Sequence, residues 1–284
     1  MTDQTEYFCL GVVGWPVAHS LSPIMHNYWL QKHHLKGTYS AFPVQPPDIE
    51  TALTSADKLG LQGLNVTIPY KENAFSIASK HSKAAVDTGA VNTLSYRNDG
   101  IYGDNTDKDG FFQHLINSSG RSDWTGAAAL VIGAGGAALA VVLALKEAGF
   151  ARVFLANRNV DRAQSLIDRL GGAPIVFCPD NEKDSALKQA DLIVNATSLG
   201  MSGQPALELN LDLAQDRACV YDIVYTPLHT PLLKAAAARG LTTIDGLGML
   251  IGQARKSFEI WTGVEPDLTD ELRTLLLDRL GRSA

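Results

Sequence analysis

The chain is short of cysteine, of clustered basic charge and of long apolar runs. Its three cysteines, Cys9, Cys178 and Cys219, are scattered over 284 residues. An odd, dispersed set offers no disulfide framework and no zinc-ligand spacing, and it fits a reducing compartment. No basic run is present, and the formal net charge is −6. An acidic chain without a basic patch is poorly suited to nonspecific binding of nucleic acid or anionic membranes. No uninterrupted apolar run is long enough to span a bilayer. The opening residues, MTDQTEYFCL, carry Asp3 and Glu6 and lack the basic region of a signal peptide. These absences predict a cytoplasmic protein with no metal, nucleic-acid or membrane partner. What is present is core-forming residue: 45% hydrophobic against 19% charged. That balance describes a globular chain, long enough for one large domain or two ordinary ones.

Short apolar stretches alternate with helical patterns throughout. FCLGVVGW (8–15), GTYSAFPV (37–44) and LNVTI (64–68) read as strands. Helices are expected over 23–35, with Ile24, Tyr28 and Leu35 on one face, over 48–59, and from about Lys71 to Ser79. VNTLSYR and IYGDN flank Asn98-Asp99-Gly100, a hairpin signal, and a helix should follow over about 108–118. The polar, turn-rich run 118–126 marks a domain boundary nearby. Beyond it the alternation restarts with AAALVIG, RVFLANR, DLIVNATS and ACVYDIVY, each followed by a helical or loop segment. The fold class expected is α/β, with a parallel sheet covered by helices on both faces.

ALVIGAGGAALAVVLALKEAG (129–149) places Gly133-x-Gly135-x-x-Ala138 between a strand and a helix. This is a dinucleotide fingerprint. Gly133 permits the tight turn, Gly135 lets the backbone approach a pyrophosphate, and Ala138 allows close helix–strand packing. The helix N-terminus then offers free N–H groups to the phosphates. About 20 residues on, an NAD site would usually carry Asp or Glu for the ribose 2′-hydroxyl. This chain has Asn157 and Arg158, with Arg162 one turn later. Two guanidiniums without a carboxylate suit a 2′-phosphate, which predicts NADP. The plainer alternative is a surface arginine pair at a helix start.

In the N-terminal half, Ser20-Leu21-Ser22-Pro23 can point both hydroxyls one way if extended. Ser22 before proline also suits a helix N-cap. Lys71 falls in the first turn of a helix, where the dipole disfavours a cation. That makes it slightly odd as decoration and slightly apt for proton transfer, while taken alone the residue reads first as a solvated surface lysine. Asp107, in GDNTDKDG, follows a strand and opens a helix; it could be a cap or a catalytic carboxylate.

Together these blocks resemble the shikimate dehydrogenase family over nearly the whole chain. The resemblance rests on GWPVAHSLSPIMHN (14–27), NVTIPYKE, GAVNTL (89–94), GDNTD, GAGGAA, the 157–162 segment, NATSLGM (195–201), YDIVYTPLHTPLL (221–233) and DGLGMLIGQA (245–254). It implies NADPH-dependent reduction of 3-dehydroshikimate to shikimate, on the route to chorismate and the aromatic amino acids. It implies a substrate domain over 1–110 and 243–284 and a Rossmann-like NADP domain over 111–242, with C-terminal helices returning to the first and the cleft as active site. By the same resemblance Lys71 is the acid/base group and Asp107 its partner. Ser20 and Ser22 hold the substrate carboxylate, with Tyr225 near that end. Thr67, Asn92 and Gln253 hydrogen-bond the ring hydroxyls. Gly133, Ala134, Gly135, Gly136 and Ala137 hold the pyrophosphate, and Asn157, Arg158 and Arg162 the adenosine ribose phosphate. Thr197, Ile223 and Gly246 lie towards the nicotinamide. The chain is expected to take this small-molecule substrate as a monomer or homodimer, and a quinate-accepting paralogue with relaxed cofactor use or a noncatalytic NADP-binding regulator are the alternatives.

The sequence departs from the family pattern in two places. Lys108 and Asp109 follow Asp107 where glycine is usual; Lys108 either lies near Asp107 and shifts its charge balance or, the favoured alternative, points to solvent from the helix surface. Asn159 stands where threonine is usual, and it can still donate to a phosphate.

Overall fold

The computed structural model describes residues 7–281. The N-terminal reading at Asp3 and Glu6 lies outside them. The chain divides into two compact units, one holding the chain up to Thr106 together with Gln253 onward, the other holding Asp107–Gly252.

The first unit is built on a mixed six-stranded sheet. In chain order it contains β1 (Phe8–Gly14), α1 (Ser22–Lys32), β2 (Gly37–Pro43), α2 (Ile49–Ser55), β3 (Gly63–Val66), α3 (Lys71–Ile77), β4 (Lys80–His81), α4 (Lys83–Thr88), β5 (Thr93–Arg97) and β6 (Gly100–Asp104). The strand order is β2-β1-β3-β5-β6-β4. β1 runs parallel to β2 and β3, while β5 is antiparallel to both β3 and β6. FCLGVVG and GLNV are buried almost throughout, the pattern of strands covered on both faces. β5 and β6 join through Asn98 and Asp99, as the hairpin signal predicts.

Several local expectations are corrected here. α1 buries Ser22, Met25, His26, Trp29 and Leu30, while Ile24 and Tyr28 are only half-buried. Leu35 is not on that helix, which stops at Lys32 before the left-handed His34 (φ 55°). The buried face is one residue on from Ile24 and Tyr28, because Ser22 and His26 share it with Met25, Trp29 and Leu30. The third strand stops at Val66, because Thr67 and Ile68 already turn towards Pro69. The helix expected over 48–59 breaks after Ser55 into a short 3-10 turn. β4 and α4 are too short to show a period in the sequence.

The second unit opens with α5 (Asp107–Ser118). It continues through β7 (Ala128–Ile132), α6 (Gly136–Glu147), β8 (Arg152–Ala156), α7 (Val160–Arg169), β9 (Ile175–Phe177), α8 (Lys183–Gln189), β10 (Leu192–Asn195), β11 (Cys219–Asp222), α9 (Pro231–Ala238) and β12 (Thr242–Ile244). Its six strands are all parallel, in the order β12-β11-β10-β7-β8-β9. α6 reads GAALAVVLALKE and buries every residue from Ala138 to Leu145. Such a helix is apolar all round because it lies within the core. Each buried Val or Leu there contributes about 1.5–3 kcal/mol.

α10 (Leu247–Thr262) starts in the second unit, where its first turn packs against His114 of α5, and finishes in the first unit. α11 (Asp270–Gly281) ends the described chain and packs against α1, where the Tyr28 hydroxyl meets Glu271 at 2.7 Å. Among the described residues no helix is long and apolar enough to cross a membrane, and no group of three or more His, Cys, Asp or Glu could hold a metal ion.

Candidate active site

In the first unit the expected substrate residues sit around the C-terminal ends of β1 and β3 and the start of α3. Lys71 is the first residue of α3, directly after the turn in which Tyr70 N–H donates to the Thr67 carbonyl. The Lys71 carbonyl accepts the Val91 N–H at 2.9 Å. That bond fastens the first turn of α3 to the segment that carries Asn92. Thr67 N–H donates to the Val13 carbonyl at 3.0 Å, so Thr67 stays registered to β1 after the regular strand has ended.

Asn92 is 2% exposed, and its amide is hydrogen-bonded at both ends. Its Nδ2 donates to Gln253 Oε1 at 2.9 Å and to Thr106 Oγ1 at 3.0 Å. Its Oδ1 accepts the Thr106 N–H and the Thr93 hydroxyl. With its carbonyl oxygen on Asn92, Gln253 turns its NH₂ end away from that contact. This defines the amide as a donor towards anything bound there. Asn92 and Gln253 are thus brought together although 161 residues separate them.

Behind them lies a buried polar cluster that sequence reasoning missed. Asn65 accepts the Tyr39 hydroxyl at 2.7 Å and donates to the Asn92 carbonyl, Thr93 Oγ1 and Ser257 Oγ. Tyr39 in turn shares a side-chain hydrogen bond with Ser22, and burial holds the phenol well above its ordinary pKa against that bond. The cluster therefore runs from Ser22 to Gln253. The available signal was a polar side chain, Asn65, inside the otherwise apolar strand GLNV.

Ser22 is not the N-cap that the capping reading proposes. Leu21 occupies that place without a side-chain bond, and Ser22 is the first helical residue. Ser20 Oγ accepts the Ser22 N–H at 3.2 Å, so the hydroxyl of Ser20 does the local turn work instead.

In the second unit Asp107 is the first residue of α5 and is 5% exposed. Lys108 does not simply extend into solvent. Its Nζ meets Glu147 Oε2 at 2.7 Å, which ties the first turn of α5 to the last turn of α6. Tyr225 is half-buried, and desolvation pushes its phenol pKa up. The hydroxyl is therefore neutral at physiological pH and able to donate. Burial also pushes Cys178 up to about 11 and Cys219 up to about 12, so neither thiol is a nucleophile at neutral pH.

The glycine turn fits a dinucleotide. Gly133 has φ +116°, and a Cβ there would lie 2.8 Å from the Ala196 carbonyl oxygen and 2.9 Å from the Thr197 methyl. Glycine is required on both counts. A Cβ added at Gly135 or Gly136 would meet nothing within 4 Å. The backbone at the start of α6 is therefore uncrowded on the side-chain side at these two residues, which is compatible with the close approach of a pyrophosphate. Ala134 and Ala137 flank the same turn. Asn157 Nδ2 donates to the Asn159 carbonyl at 2.7 Å, and Arg158 and Arg162 are exposed beside it. Asn159 caps α7 by accepting the Arg162 N–H at 2.9 Å. Its oxygen is used by the cap, and its NH₂ remains the end that faces other acceptors.

Two further expected residues are brought together at this edge of the sheet. A Cβ at Gly246 would sit 2.2 Å from the Ile223 carbonyl oxygen. Thr197 is held nearby by Asn195, whose Oδ1 accepts both its N–H and its hydroxyl.

Comparison with known proteins finds matches along nearly the whole chain. Residues 12–94 match the shikimate dehydrogenase substrate binding domain, 116–205 match shikimate / quinate 5-dehydrogenase, and 246–276 match the shikimate 5′-dehydrogenase C-terminal domain. The shikimate dehydrogenase (NADP(+)) of Nitrobacter winogradskyi is 45% identical over 276 residues, covering 97% of this chain and 98% of its own. The shikimate 5-dehydrogenase of Thermus thermophilus, solved with NADP(H) and shikimate, is 35% identical with a TM-score of 0.84, covering 98% of this chain and 100% of its own. The quinate dehydrogenase of Corynebacterium glutamicum, solved with NAD, is 31% identical with a TM-score of 0.88, covering 96% of this chain and 100% of its own.

Proposed function

The chain belongs to the shikimate dehydrogenase family, and from that membership we propose how its own residues carry the reaction. The reaction is the reversible NADPH-dependent reduction of 3-dehydroshikimate to shikimate (EC 1.1.1.25), an oxidoreductase step of chorismate and aromatic amino-acid biosynthesis. The observation that carries the reading is full-length similarity to curated NADP(+) enzymes, which spans both units rather than one fingerprint.

NADP(H) supplies or accepts the hydride when bound. The uncrowded backbone at Gly135 and Gly136 supports the glycine turn as the pyrophosphate site. Arg158, Arg162 and the NH₂ of Asn157 or Asn159 take the 2′-phosphate, since a guanidinium matches phosphate geometry. Thr197, Ile223 and Gly246 line the cofactor further along. The substrate carboxylate is taken by the hydroxyls of Ser20 and Ser22, with Tyr225 as a neutral donor at that end. Thr67, Asn92 and Gln253 take the ring hydroxyls.

Charge builds on the carbonyl oxygen as hydride arrives at its carbon, so a donor must already be in place. Lys71 delivers a proton to that oxygen in reduction and accepts one from the hydroxyl in oxidation. Asp107 orients the ammonium and the reacting hydroxyl through charge-assisted hydrogen bonds. The absence of a membrane-crossing helix among the described residues and three free thiols fit a cytoplasmic location.

The test is Lys71→Ala. kcat should fall by about 10²–10⁴-fold with KM for shikimate little changed. A pure rise in KM would mean that Lys71 binds ground state and transition state equally and is not the acid/base group.

A further inference from the structure

The charged residue Asp222 ends β11 and is wholly buried. Its carboxylate accepts three hydrogen bonds, from Asn195 Nδ2 at 2.9 Å, the Val224 N–H at 3.0 Å and the Thr230 hydroxyl at 2.7 Å. All three donors are neutral. Burial pushes the Asp222 pKa up, and these bonds pull it back down. Burying a carboxylate is costly and is offset here by these hydrogen bonds, so the site has a need for a group that only accepts.

The donors explain the need. They come from the end of β10, from the loop after β11, and from the N-cap of α9. The Thr230 hydroxyl already accepts the Leu233 N–H as a cap, so its own hydrogen is directed at Asp222. Asn195 carries the constraint onward. Its Nδ2 also reaches the Leu199 carbonyl at 2.9 Å, and its Oδ1 holds Thr197. The Ile223 N–H bonds the Asn195 carbonyl at 3.1 Å. A neutral amide at position 222 would turn an NH₂ towards one of these donors.

This cluster lies at the carboxyl ends of parallel strands, where open α/β sheets hold their ligands. It sits between two close approaches already described, Gly133 against Ala196 and Thr197, and Gly246 against Ile223. We propose that Asp222 is a positioning residue for the cofactor: through Asn195 and Thr230 it fixes the loop carrying Thr197 to the loop carrying Ile223. The proposal rests on the NADP reading of this edge.

The test uses the full-length protein and reads NADPH affinity by fluorescence titration, with KM values for both substrates and thermal unfolding alongside. Asp222→Asn should weaken NADPH by about tenfold or more, because a small misplacement of binding groups is enough for such a loss. KM for shikimate should rise clearly less than KM for NADPH, since of the proposed shikimate residues only Tyr225 lies on this loop, while Ser20, Ser22, Thr67, Asn92 and Gln253 belong to the other unit. Thr230→Val, which removes one of the three donors, should give the same pattern at smaller size and decides the matter if Asp222→Asn does not fold. Folded variants with wild-type NADPH affinity would overturn the proposal, and so would equal rises in both KM values. Failure of the wild-type protein to bind NADPH would instead overturn the cofactor reading.

Discussion

His26 gives a pH dependence that can be worked out from its surroundings. The ring is 0% exposed, stacks on Tyr39 at 4.1 Å with a 4° interplanar angle, and packs edge-on against Trp29. Neither ring nitrogen has a hydrogen-bond partner among the described residues. Desolvation lowers its pKa from 6.5 to about 3. Between those values the unfolded chain binds a proton at this residue and the folded chain does not, so stability falls as pH falls. The loss begins near 6.5 and is complete near 3. Going from about pH 7.5 to about pH 5, the single-site linkage amounts to about 2 kcal/mol. His26→Phe keeps a ring against Tyr39 and removes the titration. Urea unfolding of both proteins at the two pH values isolates this residue, because the other titrating groups cancel in the difference. The wild-type protein should lose about 2 kcal/mol more than His26→Phe over that interval. A wild-type-minus-variant difference that does not change with pH would refute the reasoning and mean that the buried ring finds a proton acceptor.

Two other substitutions test the two units separately. Asn65→Ala leaves the Tyr39 hydroxyl, Ser257 and Thr93 short of a partner in the core; urea unfolding should show a loss of about 2–4 kcal/mol, and KM for shikimate should rise because Asn92 loses its support. An unchanged KM in a folded variant would separate the cluster from substrate binding. Arg158→Gln should raise KM for NADPH and leave KM for NADH nearly unchanged, and equal loss with both cofactors would remove the 2′-phosphate assignment.

The sequence was most informative where one residue type is demanded by local geometry. Gly133 is legible because a positive φ beside the Ala196 carbonyl admits nothing else, and the parallel sheet is legible because apolar strands alternate with helices. Lys71 at the first turn of α3 and Asp107 at the first turn of α5 were also placed correctly from their flanking patterns. What could not be read is set by distance along the chain. Asn92 and Gln253 are 161 residues apart, and nothing local announces that their amides meet. Ser22 looked like a cap because serine before proline is a good cap, but tertiary packing puts it inside the helix against Tyr39. Asp222 and Asn65 did leave a trace, a polar side chain in an apolar strand, which periodicity treats as noise and burial turns into a constraint. Lys108 was expected on the helix surface; the helix it sits on was right, but its partner Glu147 is a tertiary contact.

The most direct measurement of the central claim is the initial rate of nicotinamide reduction by the wild-type protein, followed by absorbance. Shikimate and quinate are each offered with NADP and with NAD. The account predicts turnover of shikimate with NADP well above the other three combinations. Preference for quinate or for NAD would contradict it and move the chain towards the quinate-accepting branch, and no turnover with NADP binding intact would contradict the assignment of Lys71 and Asp107 as a working catalytic pair.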